Sequence, residues 1–191
     1  MAHPVNVTYL CNAVRPDDVV VGTGGFHFTH EPIRISTLLG SCVAFTAWHP
    51  RRRIGGLCHY LLPSAPPGPV PPDRKRGMYA VGAAELFQEA FLAAGSHVSE
   101  YVVRMFGGGN MFPQQTLGRP CQLICIPESP PTACRDVGCR NVLQGRLIFE
   151  ALGFAIRIED VGGAFSRQIV FDVRTGDVWV KRTAPIVAAE A

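Results

Sequence analysis

Seven short segments of this chain are apolar, β-branched or alternating over strand-like lengths, and only two stretches carry helical periodicity. That imbalance restricts the chain to a strand-rich fold covered by a few helices. The strand candidates are residues 42–48, 54–62, 99–106, 122–126, 154–159, 168–173 and 177–181, the last two joined by an Arg174-Thr175-Gly176-Asp177 turn into a C-terminal hairpin. The first helix places Val81, Ala84, Phe87, Phe91 and Ala94 on one stripe, with Glu85, Gln88 and Glu89 on the other side and Gly95 as its stop. The second spans about residues 137–152, with Val142, Leu143, Leu147 and Ala151 on its stripe and Gly153 behind it. The pattern predicts an α+β fold: a single domain over residues 1–191, built as a β-sandwich or largely antiparallel sheet flanked by helices, with flexible termini and no internal repeat. An apolar share of 47% over 191 residues is enough for one core.

Composition removes several function classes. The net charge is only +3, and the clusters Arg51-Arg52-Arg53 and Asp73-Arg74-Lys75-Arg76 do not interleave with aromatics, which argues against nucleic acid binding. The second cluster could face an acidic partner. No apolar run reaches the ~18 residues of a membrane span, and the first residues lack the pattern of a signal peptide, so the expectation is a cytoplasmic protein without membrane insertion. Seven cysteines (Cys11, Cys42, Cys58, Cys121, Cys125, Cys134 and Cys139) are an odd number without a secretion signal. This argues against a disulfide framework and for small buried thiols. The spacings among Cys121, Cys125, Cys134 and Cys139 do not form paired zinc knuckles, so no metal is expected. Six prolines within residues 63–72 define a loop of polyproline character, a lid, a partner site or, most simply, a passive insertion.

The chemistry concentrates in Ser36-Thr37-Leu38-Leu39-Gly40-Ser41-Cys42-Val43 and Gly55-Gly56-Leu57-Cys58-His59-Tyr60-Leu61-Leu62-Pro63. A cysteine behind a Gly-Ser turn, with a histidine 17 residues later on the next strand, can act as a thiol and base pair in acyl transfer. Amides freed at such a turn can face a developing oxyanion. Strand parity puts Cys42 on one face with Ala44, Thr46 and Trp48, and His59 on one face with Leu57 and Leu61. Cys58 points away from its own neighbour, which selects Cys42 as the partner of His59. On position alone, a buried structural cysteine and a hydrogen-bonded core histidine explain the two residues as well. The Gly107-Gly108-Gly109-Asn110 run lacks the Lys-Ser/Thr of a phosphate loop and fits a strand end passing close to the Cys42 turn. Glu159 and Asp160, adjacent on a strand, point to opposite faces and cannot form a glycosidase pair. Asn141, near the start of the second helix, reads as a local cap or as a residue that helps align the site.

These blocks together resemble the CheD family of chemoreceptor glutamine deamidases. The Leu-Gly-Ser-Cys segment and the Gly-Gly-x-x-His-x-x-Leu-Pro segment carry the likeness first. Met105-Phe106-Gly107-Gly108-Gly109-Asn110-Met111, Gly138-Cys139-Arg140-Asn141, Asp160-Val161-Gly162-Gly163, Arg167-Gln168-Ile169-Val170-Phe171 and Thr175-Gly176-Asp177-Val178-Trp179-Val180-Lys181 follow in the same order, from about residue 20 to residue 182. The resemblance implies a β-sandwich flanked by helices and a cysteine-dependent protein-glutamine glutaminase that uses no cofactor. Its nucleophile would be Cys42 and its histidine His59, with Thr37 orienting the imidazole and Ser36 as the alternative. The substrate would be glutamines on the cytoplasmic helices of chemoreceptors, with glutamate methyl esters as a second substrate and a CheC-type chemotaxis phosphatase as a partner. Two other classes remain open at this point: a non-catalytic binding module that regulates such a phosphatase, and a redox sensor that uses several of the cysteines.

Overall fold

Alternate residues of a β-strand face opposite sides, and in this chain that parity sorts the apolar residues into two separate cores. The computed structural model describes residues 7–9, 15–65, 75–111 and 136–184. Its ten strands form two five-stranded sheets. The first sheet contains β1 (Val7–Tyr9), β2 (Val19–Val20), β4 (Arg34–Leu39), β9 (Ser166–Asp172) and β10 (Val178–Thr183), in spatial order β1-β10-β9-β4-β2. The second contains β3 (Phe26–Thr29), β5 (Val43–His49), β6 (Ile54–Tyr60), β7 (Val102–Gly107) and β8 (Ile156–Val161), in order β3-β6-β5-β7-β8. The central pairings are antiparallel; β1 with β10, β2 with β4 and β7 with β8 run parallel. Two helices, α1 (Ala80–Ala93) and α2 (Val137–Ala151), complete the α+β architecture expected from the sequence.

One core lies between the sheets, where Ile35, Leu39, Ile169, Phe171, Val178 and Val180 meet Ala44, Trp48, Leu57 and Phe106. The other lies between the second sheet and the helices, where Val43, Phe45, Cys58, Tyr60 and Met105 meet Phe87, Phe91, Val142 and Phe149. Phe45 and Phe149 stack with ring centroids 3.6 Å apart, tying α2 to the middle of β5. Burying each such ring contributes roughly 1.5–3 kcal/mol. α2 comes close enough to β6 that the Tyr60 hydroxyl lies where a side chain on Gly145 would begin. Only glycine fits at that position.

Both helices form where expected, and each buries part of its predicted stripe: Ala84, Phe87 and Phe91 on α1, Val142 and Leu143 on α2. Val81 is 45% exposed and Leu147 is 49% exposed, although both were assigned to the core. α2 also buries Gly138, Cys139, Asn141, Gly145 and Phe149. Small and polar residues occupy this face because the helix sits nearly in contact with the backbone beneath it. Residues 99–101, expected as part of a strand, instead belong to a 3₁₀ turn and its cap ahead of β7. Strands β3 and β4 were not foreseen, and the expected strand at 122–126 lies outside the described residues.

Arg104, on β7 and facing the other sheet, is completely buried, and none of its three guanidinium nitrogens has a hydrogen-bond partner among the described residues. Burial pulls its pKa down to about 10, with the charge of Asp177 acting in the opposite direction. Its cross-strand neighbour Thr46 likewise has an unpartnered hydroxyl. An unpaired buried charge opposes folding, so Arg104→Met is expected to stabilise the protein by about 1–3 kcal/mol. Thermal denaturation checks this; a lower midpoint in the variant would show that the guanidinium has a stabilising partner.

Candidate active site

The inter-sheet face of β4 carries Ile35, Thr37 and Leu39, and the facing side of β6 carries Leu57 and His59, so threonine and histidine approach each other across the sandwich. Thr37 Oγ1 lies 2.8 Å from His59 Nδ1 and donates its single proton to the Val21 carbonyl at 2.7 Å. With that proton committed, the hydroxyl must accept from the ring, which places a proton on Nδ1 and leaves a lone pair on Nε2. His59 Nε2 is buried and has no hydrogen-bond partner among the described residues. The His59 backbone is held as well: its N–H donates to Gly25 O at 3.0 Å, and its carbonyl accepts from Gly24 N at 2.7 Å. Ser36 is buried on the opposite face of β4, beside Val20 and Val170 in the ladder, and does not meet the imidazole.

Cys42 immediately precedes β5. Ala44 pairs directly with His59, so Cys42, two residues earlier on the same face, is its diagonal neighbour, a relation with typical Cα separations of ~7–8 Å and within reach of side chains. Cys42 is half-buried against the inter-sheet core. Cys58 points the other way, into the helix-side core, where burial pushes its thiol up to about 12. Burial raises the Cys42 thiol above its ordinary 9.0, while its own backbone N–H pulls in the opposite direction. Burial also lowers His59 below its ordinary 6.5, partly offset by the Val21 carbonyl beside the ring. At neutral pH the resting pair is therefore a thiol and a neutral imidazole rather than a preformed ion pair.

The glycine run after β7 holds the cysteine turn. Gly108 N donates to Cys42 O at 2.7 Å and Gly109 N donates to Gly40 O at 2.8 Å. Gly107 and Gly108 have φ of +110° and +64°, and a side chain on Gly107 would strike the Cys42 carbonyl. The close strand approach expected from the sequence is thus realised in these bonds. Of the two readings of Asn141, the contacts favour alignment: its Nδ2 donates to Ser41 O at 2.8 Å and to Leu61 O at 2.9 Å. The helix cap is Asp136, whose carboxylate accepts from Cys139 N at 2.7 Å. An aspartate before the helix and an asparagine one turn inside it were the available signal that Asn141 has other work.

A family model described as CheD chemotactic sensory transduction matches residues 61–182. The chain belongs to the CheD family. Relatives align across more of it, including "Probable chemoreceptor glutamine deamidase CheD 3" of Dechloromonas aromatica, 41% identical over 85% of this chain and 86% of its own length. "Probable chemoreceptor glutamine deamidase CheD" of Pseudomonas fluorescens is 37% identical over 88% and 86%. "Probable chemoreceptor glutamine deamidase CheD 1" of Leptospira interrogans is 32% identical over 88% and 96%.

Around this CheD site, other sequence expectations are redrawn. Arg76, of the basic cluster, is exposed and pairs with Glu85 and Glu89 of α1 at 3.1 and 2.9 Å, and Lys75 beside it is exposed as well. Arg74 and most of the proline-rich loop lie outside the described residues. Cys139 is disulfide-bonded, against the expectation of isolated thiols. Cys11, Cys121, Cys125 and Cys134 lie outside the described residues. Among the described residues no cluster of His, Cys, Asp and Glu could hold a metal ion, and no helix is long and apolar enough to cross a membrane.

Proposed function

We propose that this chain hydrolyses glutamine side chains on the cytoplasmic helices of chemoreceptors, with Cys42 as nucleophile, His59 as general base and acid, and Thr37 as the group that orients the imidazole. The observation that carries this reading is the Nε2 of His59, which has no hydrogen-bond partner among the described residues, whose lone pair is fixed by Nδ1–H donation to Thr37 and which stands diagonal to Cys42. Membership of the CheD family and the names of the relatives supply the substrate class.

In the first half-reaction, His59 Nε2 takes the Cys42 thiol proton as sulfur attacks the amide carbon. The imidazolium then returns that proton to the departing nitrogen, the C–N bond breaks, and ammonia leaves a thioester on Cys42. In the second half-reaction, His59 takes a proton from water as the oxygen attacks the thioester. The C–S bond breaks, sulfur recovers the proton, and a glutamate is released. A glutamate methyl ester would pass through the same thioester with methanol as the leaving group, making methylesterase activity the companion reaction. The setting of this chemistry is the cytoplasm, where the receptor helices lie, and a CheC-type phosphatase is the proposed protein partner.

Ammonia release from a purified receptor cytoplasmic fragment tests this reading. Enzyme-dependent release that is absent with free glutamine supports it, and no release from several receptor fragments would replace it with a binding role. Within the site, Thr37→Val is expected to lower the initial rate by about 10- to 100-fold, because it deletes the acceptor that fixes the ring, whereas Ser36→Ala should stay within about twofold. A larger loss at Ser36 than at Thr37 would reverse that assignment.

A further inference from the structure

The cysteine turn is held at three successive carbonyls, and the middle one is held by a side chain. Gly40 O and Cys42 O accept from the backbone of Gly109 and Gly108, while Ser41 O, between them, accepts from Asn141 Nδ2. The second proton of the same amide reaches Leu61 O, two residues beyond His59. Asn141 is completely buried, and its main-chain carbonyl accepts from the Tyr60 hydroxyl at 2.6 Å. One side chain thus links the nucleophile turn, the end of the histidine strand and α2.

The consequence follows from peptide geometry. No peptide bond among the described residues is cis, so the Ser41 carbonyl and the Cys42 N–H point in opposite directions from one rigid plane. Gripping the carbonyl fixes the direction of the N–H. That N–H partly offsets the effect of burial on the Cys42 thiol, and a backbone donor on the nucleophile itself is the kind of group that stabilises an oxyanion formed by attack of its sulfur.

Building on the deamidase reading, we propose that Asn141 is a positioning residue that aims the Cys42 amide at the developing oxyanion and keeps the nucleophile turn in register with the histidine strand. It touches neither substrate nor reacting atoms. A primary amide suits the task because it offers two N–H donors without charge to two carbonyls. Leucine offers none, and serine offers one on a shorter reach.

The test compares wild type with Asn141→Leu and Asn141→Ser in two assays: ammonia release from a receptor fragment, and iodoacetamide alkylation of Cys42 followed by mass across pH. Expected is a fall in kcat of about tenfold or more, as for loss of an oxyanion donor, with KM within about twofold. The alkylation profile should move to higher pH because the thiolate loses its oriented amide. A kcat per alkylatable Cys42 and an alkylation profile both matching wild type, even with a lower melting temperature, would overturn the proposal. So would failure of both variants to fold, which would make Asn141 a stability residue. If wild type itself releases no ammonia, the deamidase reading fails, while the alkylation profiles still decide whether Asn141 orients the Cys42 amide.

Discussion

Cys42→Ala is expected to lower deamidation by roughly 10³-fold or more, because the thioester forms on its sulfur and the other free cysteine among the described residues, Cys58, faces the helix-side core. Cys58→Ala is the matched control. Both are cysteines near His59 in sequence, but Cys58 is the histidine's chain neighbour on the opposite face of β6, enclosed with Phe45 and Tyr60, and its thiol is pushed up to about 12. Removing its sulfur should cost about 1 kcal/mol of packing and leave kcat within about twofold on folded protein. Rates of ammonia release, normalised to folded enzyme by circular dichroism, separate the two variants. Substantial turnover by Cys42→Ala, or equal losses in both, would remove the thioester route.

His59→Ala should lower the rate by about 10²- to 10⁴-fold, the range expected when a general base is deleted. His49 provides the comparison, because it too is buried on this sheet, but it lies at the far end of β5 against Glu100 and the Tyr101 ring. His49→Ala is expected to affect stability more than catalysis. The wild-type pH profile carries the same information. The active form needs a Cys42 thiol and a neutral His59 with Nε2 free of a proton, so activity should rise through a pKa below 6.5 and fall only above 9.0. The sign follows from burial: desolvation disfavours both the imidazolium and the thiolate, moving the two limbs apart. Loss of activity between pH 7 and 8 in either direction would mean that another group controls the rate.

Much of the site was legible because strand parity is a strong constraint. Period two alone separates Cys58 from His59, and it separates Ser36 from Thr37 once the segment is known to be extended. β4 itself was not foreseen, since Leu38 is 64% exposed and Ser36 is buried, which blurs the alternation of apolar and polar residues. The helical faces were legible only in part for a related reason. α2 approaches β6 so closely that Gly145 and Asn141 face the sheet, leaving Leu147 outside, and counting apolar residues cannot reveal such an approach. The role of Asn141 depends on carbonyls 100 and 80 residues away in the chain, contacts that only the folded structure brings together. Arg104 shows the limit most plainly, since nothing in its local sequence announces a buried guanidinium without a hydrogen-bond partner among the described residues.

The most direct measurement is peptide-resolved mass spectrometry of a purified receptor cytoplasmic fragment after incubation with wild type and with Cys42→Ala. Wild type is expected to add about one dalton at particular glutamines, with one ammonia released per site, and the variant to leave every glutamine unchanged. Glutamines modified equally by both proteins, or by neither, would contradict a Cys42-dependent deamidase.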